Sequence, residues 1–161
     1  MRARWTRIVI VAATLIVLVA VNGSIVAKER IKTHGERIYL ALAPVDPRSL
    51  MQGDYMALRF AVAERIGADL TAARGAPRRT DRASVTVDER GVATLSPDGA
   101  GTLHLRYRMR GTQVWLGTNA YFFEEGSAAR YAQARFGEFR VDRDSGEAVL
   151  VGLRGAGLEP L

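Results

Sequence analysis

An uncharged apolar run near the N-terminus constrains this chain more than any other feature. Residues 8–27 contain no charged side chain, and Thr14 is the one polar residue within 8–21. If these 20 residues form a helix, at about 1.5 Å per residue they span roughly 30 Å, the thickness of the hydrocarbon core of a bilayer. The sequence therefore predicts a transmembrane helix at residues 8–27.

The residues before this run predict its orientation. Three arginines and a tryptophan precede it: Arg2, Arg4, Trp5 and Arg7. Basic residues next to a membrane helix favour the cytoplasmic side, and tryptophan favours the membrane interface. We therefore expect residues 1–7 to be a cytoplasmic N-terminus and residues 28–161 to be an exported domain on the periplasmic or extracytoplasmic side.

A cleaved signal peptide is the alternative interpretation of the same run. Signal peptides have a shorter apolar core, which is followed by small residues at the cleavage site. Here the apolar stretch is long, and Val21-Asn22-Gly23 lacks the usual Ala-x-Ala pattern. We therefore favour an uncleaved single-pass anchor in the inner (cytoplasmic) membrane, with the lipid bilayer as one partner.

The composition of the exported part excludes several classes of protein. It carries 20 basic and 17 acidic residues in a dispersed pattern, whereas nucleic-acid binding usually needs a concentrated basic face. We therefore expect no nucleic-acid partner. The chain has no cysteine, which excludes a disulfide framework, a thiolate nucleophile and a cysteine-based metal site.

The exported part shows short strand patterns separated by turn residues, which predict a mainly antiparallel β domain. We expect strands at residues 36–43, 54–62, 84–87, 92–95, 102–110, 138–141 and 148–153. One short helix is predicted after Ser127 as its N-cap, with Gly137 as its terminator. Residues 67–82 have no clear period and suggest a flexible excursion. The predicted fold class is α+β: an N-terminal transmembrane helix, then a twisted antiparallel sheet or partly closed barrel with one short helix.

The stretch 102–110 alternates strictly between apolar and polar residues. The apolar face holds Leu103, Leu105, Tyr107 and Met109, and a basic row falls on the other face: His104, Arg106, Arg108 and Arg110. This is the pattern of a half-buried antiparallel strand. We interpret the basic row as a solvated face, with anionic lipid headgroups or an acidic partner as the alternative.

The octapeptide at residues 53–60 identifies a family resemblance. Gly53-Asp54-Tyr55-Met56-Ala57-Leu58-Arg59-Phe60 resembles the motif that names the GDYXXLXY proteins, a family of bacterial membrane-anchored proteins of unknown biochemistry. A second stretch, residues 122–141, is similar to another signature of that family. The chain departs from the family pattern at Phe60 and Phe136, where tyrosine is usual; both changes keep the ring and delete a hydroxyl.

The resemblance implies a membrane protein without an established reaction. Members are single-pass envelope proteins that often accompany a larger multi-pass membrane protein, so it implies a multi-pass membrane partner. It implies no catalytic, cofactor-binding or metal-binding residue. The positions that it marks as structural or docking residues are Gly53, Asp54, Tyr55, Leu58, Phe60, Glu125, Tyr131, Arg135 and Glu138.

The motif also has an interpretation from its residues alone. Gly53 suits a turn with positive φ, and Asp54 can accept backbone N–H groups to brace that turn. Alternation then buries Met56, Leu58, Phe60 and Val62 on one face of a strand. We favour this structural role; the alternative is that Asp54 and Tyr55 form a polar docking point.

Catalytic arrangements have weaker support. Ser49 before a Gly-Asp strand resembles type I signal peptidases, but the spacing is too short and no lysine follows Ser49 for a Ser/Lys dyad. Glu124, Glu125 and Glu138 could supply paired carboxylates, although Arg135 and Arg140 are expected to pair with Glu138. We therefore expect a non-catalytic accessory or assembly subunit, with an exported hydrolase or signal-peptidase-like relative as the alternative.

Overall fold

The computed structural model describes residues 2–43, 51–52, 55–72, 80–96 and 98–161. Within these ranges the helices are α1 (Arg2–His34), α2 (Ala61–Ala72) and α3 (Ala128–Tyr131). The strands are β1 (Glu36–Ala41), β2 (Met51–Gln52), β3 (Tyr55–Ala57), β4 (Thr80–Val87), β5 (Ala93–Leu95), β6 (Leu103–Arg110), β7 (Gln113–Trp115), β8 (Ala120–Phe122), β9 (Phe136–Val141) and β10 (Ala148–Arg154).

Helix α1 is one unbroken helix that is long and apolar enough to cross a membrane between Trp5 and His34. Its few polar side chains bond back to its own backbone: Thr14 Oγ1 donates to the carbonyl of Ile10 at 2.9 Å, and Asn22 Nδ2 donates to that of Leu18 at 2.8 Å. Such internal bonds suit a helix in lipid, where water is absent. The helix predicted at residues 8–27 is confirmed as part of a helix that is long and apolar enough to span a membrane.

The rest of the described chain forms three antiparallel sheets. Their strand orders are β1-β9-β10, β2-β3-β8 and β5-β4-β6-β7. Isolated bridges join the sheets, from Tyr39 to Val92 and from Leu42 to Phe60, so the sheets curve around one core. The predicted α+β class, with a partly closed antiparallel sheet and a short helix, is confirmed.

The two hairpins with clear turn signals form as predicted. Strand β4 pairs with β5 through Val87 opposite Ala93, and β9 pairs with β10 through Val141 opposite Ala148. Gly91 has a φ of 83°, which an L-residue with a side chain rarely adopts. The alternation in β6 is also confirmed, since Leu103, Leu105 and Tyr107 are buried.

The segment after the motif differs from the prediction. We expected one strand over 54–62 and a flexible excursion over 67–82, but β3 ends at Ala57, α2 occupies Ala61–Ala72 and β4 begins at Thr80. Residues 73–79 of the expected excursion lie outside the described residues. The expected burial of alternate residues is nevertheless present, because Met56, Leu58, Phe60 and Val62 are all buried. The alternation extends across the start of a helix, whose own buried residues are Val62, Ala63 and Ile66.

The predicted short helix is shorter than expected. It stops at Tyr131, and Ser127 makes no side-chain capping hydrogen bond. Gly137 does not terminate it, because Gly137 lies inside β9. A Cβ atom at Gly137 would lie 2.8 Å from Cε1 of Phe60 and 3.0 Å from Cε2 of Phe139. Glycine is needed there because two rings of the core approach the backbone of the strand.

The end of α1 is packed on the β9–β10 hairpin. Ile31 is buried, and Lys28 forms an ion pair with Glu147 in the connection between the two strands. Immediately after the helix, the carbonyl of Gly35 accepts a hydrogen bond from Arg140 Nη1 at 3.2 Å. Helix α1 is therefore fixed to the β domain at several points on one side.

Candidate functional site

The predicted motif residues occupy different surroundings. Gly53 and Asp54 lie outside the described residues, so their role in a turn stays a prediction. Tyr55 is half-buried in β3, with its ring centroid 5.7 Å from that of Phe122 on β8. Leu58 and Phe60 are buried at 2% and 1% exposure, as the structural interpretation expected.

The residues predicted from the second stretch also separate. Glu125 is exposed in a turn, and Tyr131 packs its ring against Tyr121 and Phe123, with centroids 5.2 and 5.1 Å away. Arg135 is exposed, and its Nη1 donates to the carbonyl of Ala134 at 2.9 Å. The second stretch therefore supplies aromatic packing more than a shared polar site.

Glu138 has a different partner from the one expected. It is buried at 5% exposure and forms an ion pair with Arg154, whose Nε lies 2.6 Å from Oε2. We expected Arg135 or Arg140, but both make hydrogen bonds to backbone carbonyls instead. Arg154 reaches Glu138 because β10 lies beside β9, and the two residues are diagonal neighbours across the pair of strands.

A cleft of about 920 Å³ lies between α2 and β7, and we call it the motif cleft. Ala57, Leu58, Arg59 and Phe60 form one wall, which makes the second half of the octapeptide part of the lining. Residues 118–120 close one side. The volume falls within the range of about 300–1,000 Å³ that is typical of ligand pockets.

Small residues on α2 explain why the space is open. Among the α2 residues that line the motif cleft, four are alanine or glycine: Ala63, Gly67, Ala68 and Ala72. The charged residues in the lining are Arg59 and Glu64, both of which are exposed. The cleft is therefore largely apolar, with one cation and one carboxylate on its surface.

Two buried polar atoms belong to residues that line this cleft. Neither Trp115 Nε1 nor Asn119 Oδ1 has a hydrogen-bond partner among the residues that the structure describes. Leaving such a group unpaired costs about 1–3 kcal/mol. The backbone holds Asn119 in place, because its carbonyl accepts from Leu58 N at 2.7 Å. The Trp115 side chain lies beside Arg108, on the face of the sheet opposite Val114 and α2, so the acceptor that remains for the cleft is that of Asn119.

Trp115 and Asn119 are absent from the sequence-based prediction of site residues. Both lie near Gly117, whose φ of 69° allows the turn between β7 and β8. A Cβ atom at Gly117 would lie 2.6 Å from the carbonyl oxygen of Ala148, so the turn is pressed against the start of β10. The sequence signal for these two residues was Trp115-Leu116-Gly117-Thr118-Asn119, a tryptophan shortly before a Gly-Thr-Asn turn.

Comparison with known proteins decides the family. Residues 17–153 match the sequence profile described as GDYXXLXY protein, a range that runs from the second half of α1 almost to the end of β10. The chain belongs to the GDYXXLXY family. No curated protein and no solved structure matches it.

In this GDYXXLXY protein the residues of the catalytic alternative have separate environments. Ser49 lies outside the described residues. Glu124 and Glu125 are exposed near the turn after β8, whereas Glu138 is buried and bound to Arg154. Within the described ranges, no three His, Asp or Glu side chains are grouped so that they could hold a metal ion.

His104, a member of the basic row, lies on the exposed face of β6. Its Nδ1 is 3.1 Å from Oγ of Ser84 on the neighbouring strand. The Ser84–His104 contact is a cross-strand pair on a solvated surface, as expected for the polar face of a strand.

Proposed function

We propose that this GDYXXLXY protein is a single-pass protein of the bacterial envelope, with residues 1–7 in the cytoplasm and the β domain on the periplasmic or extracytoplasmic side. It acts as a non-catalytic accessory or assembly subunit of a multi-pass membrane protein. Its motif cleft receives a segment of that partner.

The observation that carries this proposal is the set of contacts that hold the end of α1 against the β domain. The helix continues without a break from its apolar part to His34, and Ile31, Lys28 and Gly35 fix its end to the β9–β10 hairpin. A domain on a flexible tether would sample many orientations above the membrane. A domain fixed to its membrane helix presents the same surfaces at the same height, which suits assembly with a neighbour in the same bilayer.

The motif cleft supports the choice of a docking role over catalysis. Its lining combines apolar side chains with the unpartnered acceptor of Asn119. A backbone N–H group of a peptide could satisfy this acceptor. The carboxylates proposed for catalysis lie on other surfaces or in the ion pair with Arg154.

Site-specific crosslinking of the full chain in its native membranes tests the partner. A photo-crosslinking amino acid at Thr71 or Gln113, both exposed residues of the motif cleft, should form an adduct with a multi-pass membrane protein. The matched control is the same amino acid at Glu89, an exposed residue in the β4–β5 turn, which should give no such adduct. Recovery of uncrosslinked monomer alone from the cleft positions would refute the assembly role.

Single cysteines test the orientation separately, and each label reports one position because the natural chain has no cysteine. Glu89→Cys should react with a membrane-impermeant maleimide added to spheroplasts, and Arg4→Cys should react only after the membrane is permeabilised. The reverse labelling pattern would contradict the proposed orientation without bearing on the partner.

A further inference from the structure

The outer face of the sheet β5-β4-β6-β7 is strongly basic. On β6 the outward residues include Arg106, Arg108 and Arg110, and Arg82 on β4 lies directly opposite Arg106. Trp115 on β7 lies opposite Arg108. We call this surface the basic face; its residues are Arg82, Arg106, Arg108, Arg110 and Trp115.

Glu147 lies beside Arg106 and Arg108, but it forms its ion pair with Lys28 and not with the arginines of the basic face. The ion pairs among the described residues are Lys28–Glu147, Lys32–Glu29, Arg143–Glu36 and Arg154–Glu138. None of these pairs involves an arginine of the basic face. Like charges on neighbouring positions of a sheet repel each other, so this surface is suited to a ligand with dense negative charge.

The basic face lies beside the point where α1 leaves the apolar run. The carbonyl of Gly146, in the β9–β10 connection, accepts a hydrogen bond from Arg106 N at 2.7 Å. A small cavity of about 50 Å³ is lined by Arg106, Arg108, Trp115 and Glu147. Glu147 forms the ion pair with Lys28, which is the first charged residue after the uncharged run 8–27. If α1 spans the bilayer, these side chains lie at the level of the headgroups.

Trp115 matches that position. Its ring packs under the guanidinium of Arg110, with Cζ 4.3 Å from the ring centroid. Tryptophan favours the membrane interface, and juxtamembrane basic residues are attracted to anionic lipids. The pairing of an interfacial aromatic residue with arginines favours a lipid surface over an acidic protein.

We propose that the basic face binds anionic phospholipid headgroups of the leaflet from which α1 emerges. The proposal rests on the membrane anchoring in the proposed function and is independent of any protein partner. Binding would hold the sheet against the bilayer surface and fix the tilt of α1 and the attached domain in the membrane.

Trp115 provides the readout, because Trp5 is the other tryptophan of the chain. The full-length Trp5→Phe protein is reconstituted into nanodiscs of phosphatidylcholine, or of phosphatidylcholine mixed with phosphatidylglycerol, each containing a lipid with a nitroxide on its headgroup. We expect strong quenching of Trp115 in the anionic nanodiscs, weak quenching in the neutral ones, and loss of the difference at high salt. Incorporation into the nanodiscs verifies anchoring independently of the quenching.

Paired substitutions identify the surface. Each arginine near an anionic membrane contributes about fivefold to binding, so R106Q/R108Q should lower the ratio of bound to unbound domains by about 25-fold. R106K/R108K keeps the charge and should keep the quenching. The control R65Q/R90Q removes two exposed arginines from other surfaces and should have no effect.

Two results would overturn the proposal. One is equal quenching of Trp115 in neutral and anionic nanodiscs, which would show that lipid charge is not read and would leave an acidic protein as the ligand. The other is an equal effect of R106Q/R108Q and R65Q/R90Q, which would show that net charge acts rather than the basic face.

Discussion

Replacement of Arg154 by methionine should strongly destabilise the domain, because it leaves the carboxylate of Glu138 buried without its partner. Glu138 is 5% exposed, and Arg154 donates to its Oε2 through Nε at 2.6 Å and also through Nη2. Breaking a buried ion pair from one side typically costs about 3–5 kcal/mol. Since a domain of this size has only about 5–15 kcal/mol of stability, the loss is a large fraction of the total.

The assay is thermal unfolding of the full chain in detergent micelles. At about 4 °C per kcal/mol, Arg154→Met should lower the melting temperature by about 12–20 °C. The control is Lys32→Met, which breaks the ion pair with Glu29 at 3.5 Å, where both side chains are more than half exposed. Exposed pairs contribute about 0–1 kcal/mol, so this variant should lose about 4 °C or less.

The double variant Glu138→Leu/Arg154→Met separates pairing from packing. Replacing both partners of a buried ion pair with apolar residues is often neutral, so the double variant should recover most of the loss. If Arg154→Met costs no more than Lys32→Met, the reasoning fails, and Glu138 would have to be considered a carboxylate available for chemistry.

Two further predictions concern backbone and turns. Gly137→Ala should destabilise the domain by about 1–3 kcal/mol, because the added methyl group meets the ring of Phe60 at 2.8 Å. Gly67→Ala in α2 should stabilise it by about 1 kcal/mol, because the added Cβ has room. Urea unfolding measures both changes, and equal effects would contradict the packing argument. The pKa of Asp142 is lowered by hydrogen bonds from the Ser145 hydroxyl and backbone N–H, so its contribution to stability is present above its unfolded pKa and is lost as pH falls through its folded pKa. Asp142→Asn should therefore flatten the pH dependence of the melting temperature below about pH 4, and an unchanged profile would contradict this assignment.

The strands and hairpins were predictable because their signals are local. Burial alternates along β6, and glycine or aspartate stands at each hairpin turn. Helix α2 was missed because two periods overlap. Leu58, Phe60 and Val62 continue the alternation of the motif, and Val62 and Ile66 already belong to the helical face. Gly67 inside the helix weakened the helical pattern further.

The pairing of Glu138 was not predictable for a different reason. Arg140 is near in sequence and on the same face of β9, so it was the natural candidate. The register of β10 shifts between Leu150 and Gly152, and this irregularity determines that Arg154 is the basic residue beside Glu138. Such a shift depends on how two strands pack, and no local sequence pattern predicts it. The motif cleft was also hidden, because α2, β7 and residues 118–120 come together only in the folded chain.

The two stretches that resemble the family meet at one place in the core, and this bears on where function is to be sought. Phe60 of the octapeptide packs edge-to-face on Phe139 of the second stretch, with ring centroids 5.1 Å apart, over Gly137. Among the described residues, the two stretches therefore serve mainly to pack the segment before α2 against strand β9. Because buried rings cannot contact a partner, the proposed assembly role would depend on the surface that the motif shapes, which is the motif cleft. Substitutions at Thr71 and Gln113, which are exposed in the cleft, should therefore affect assembly without affecting folding.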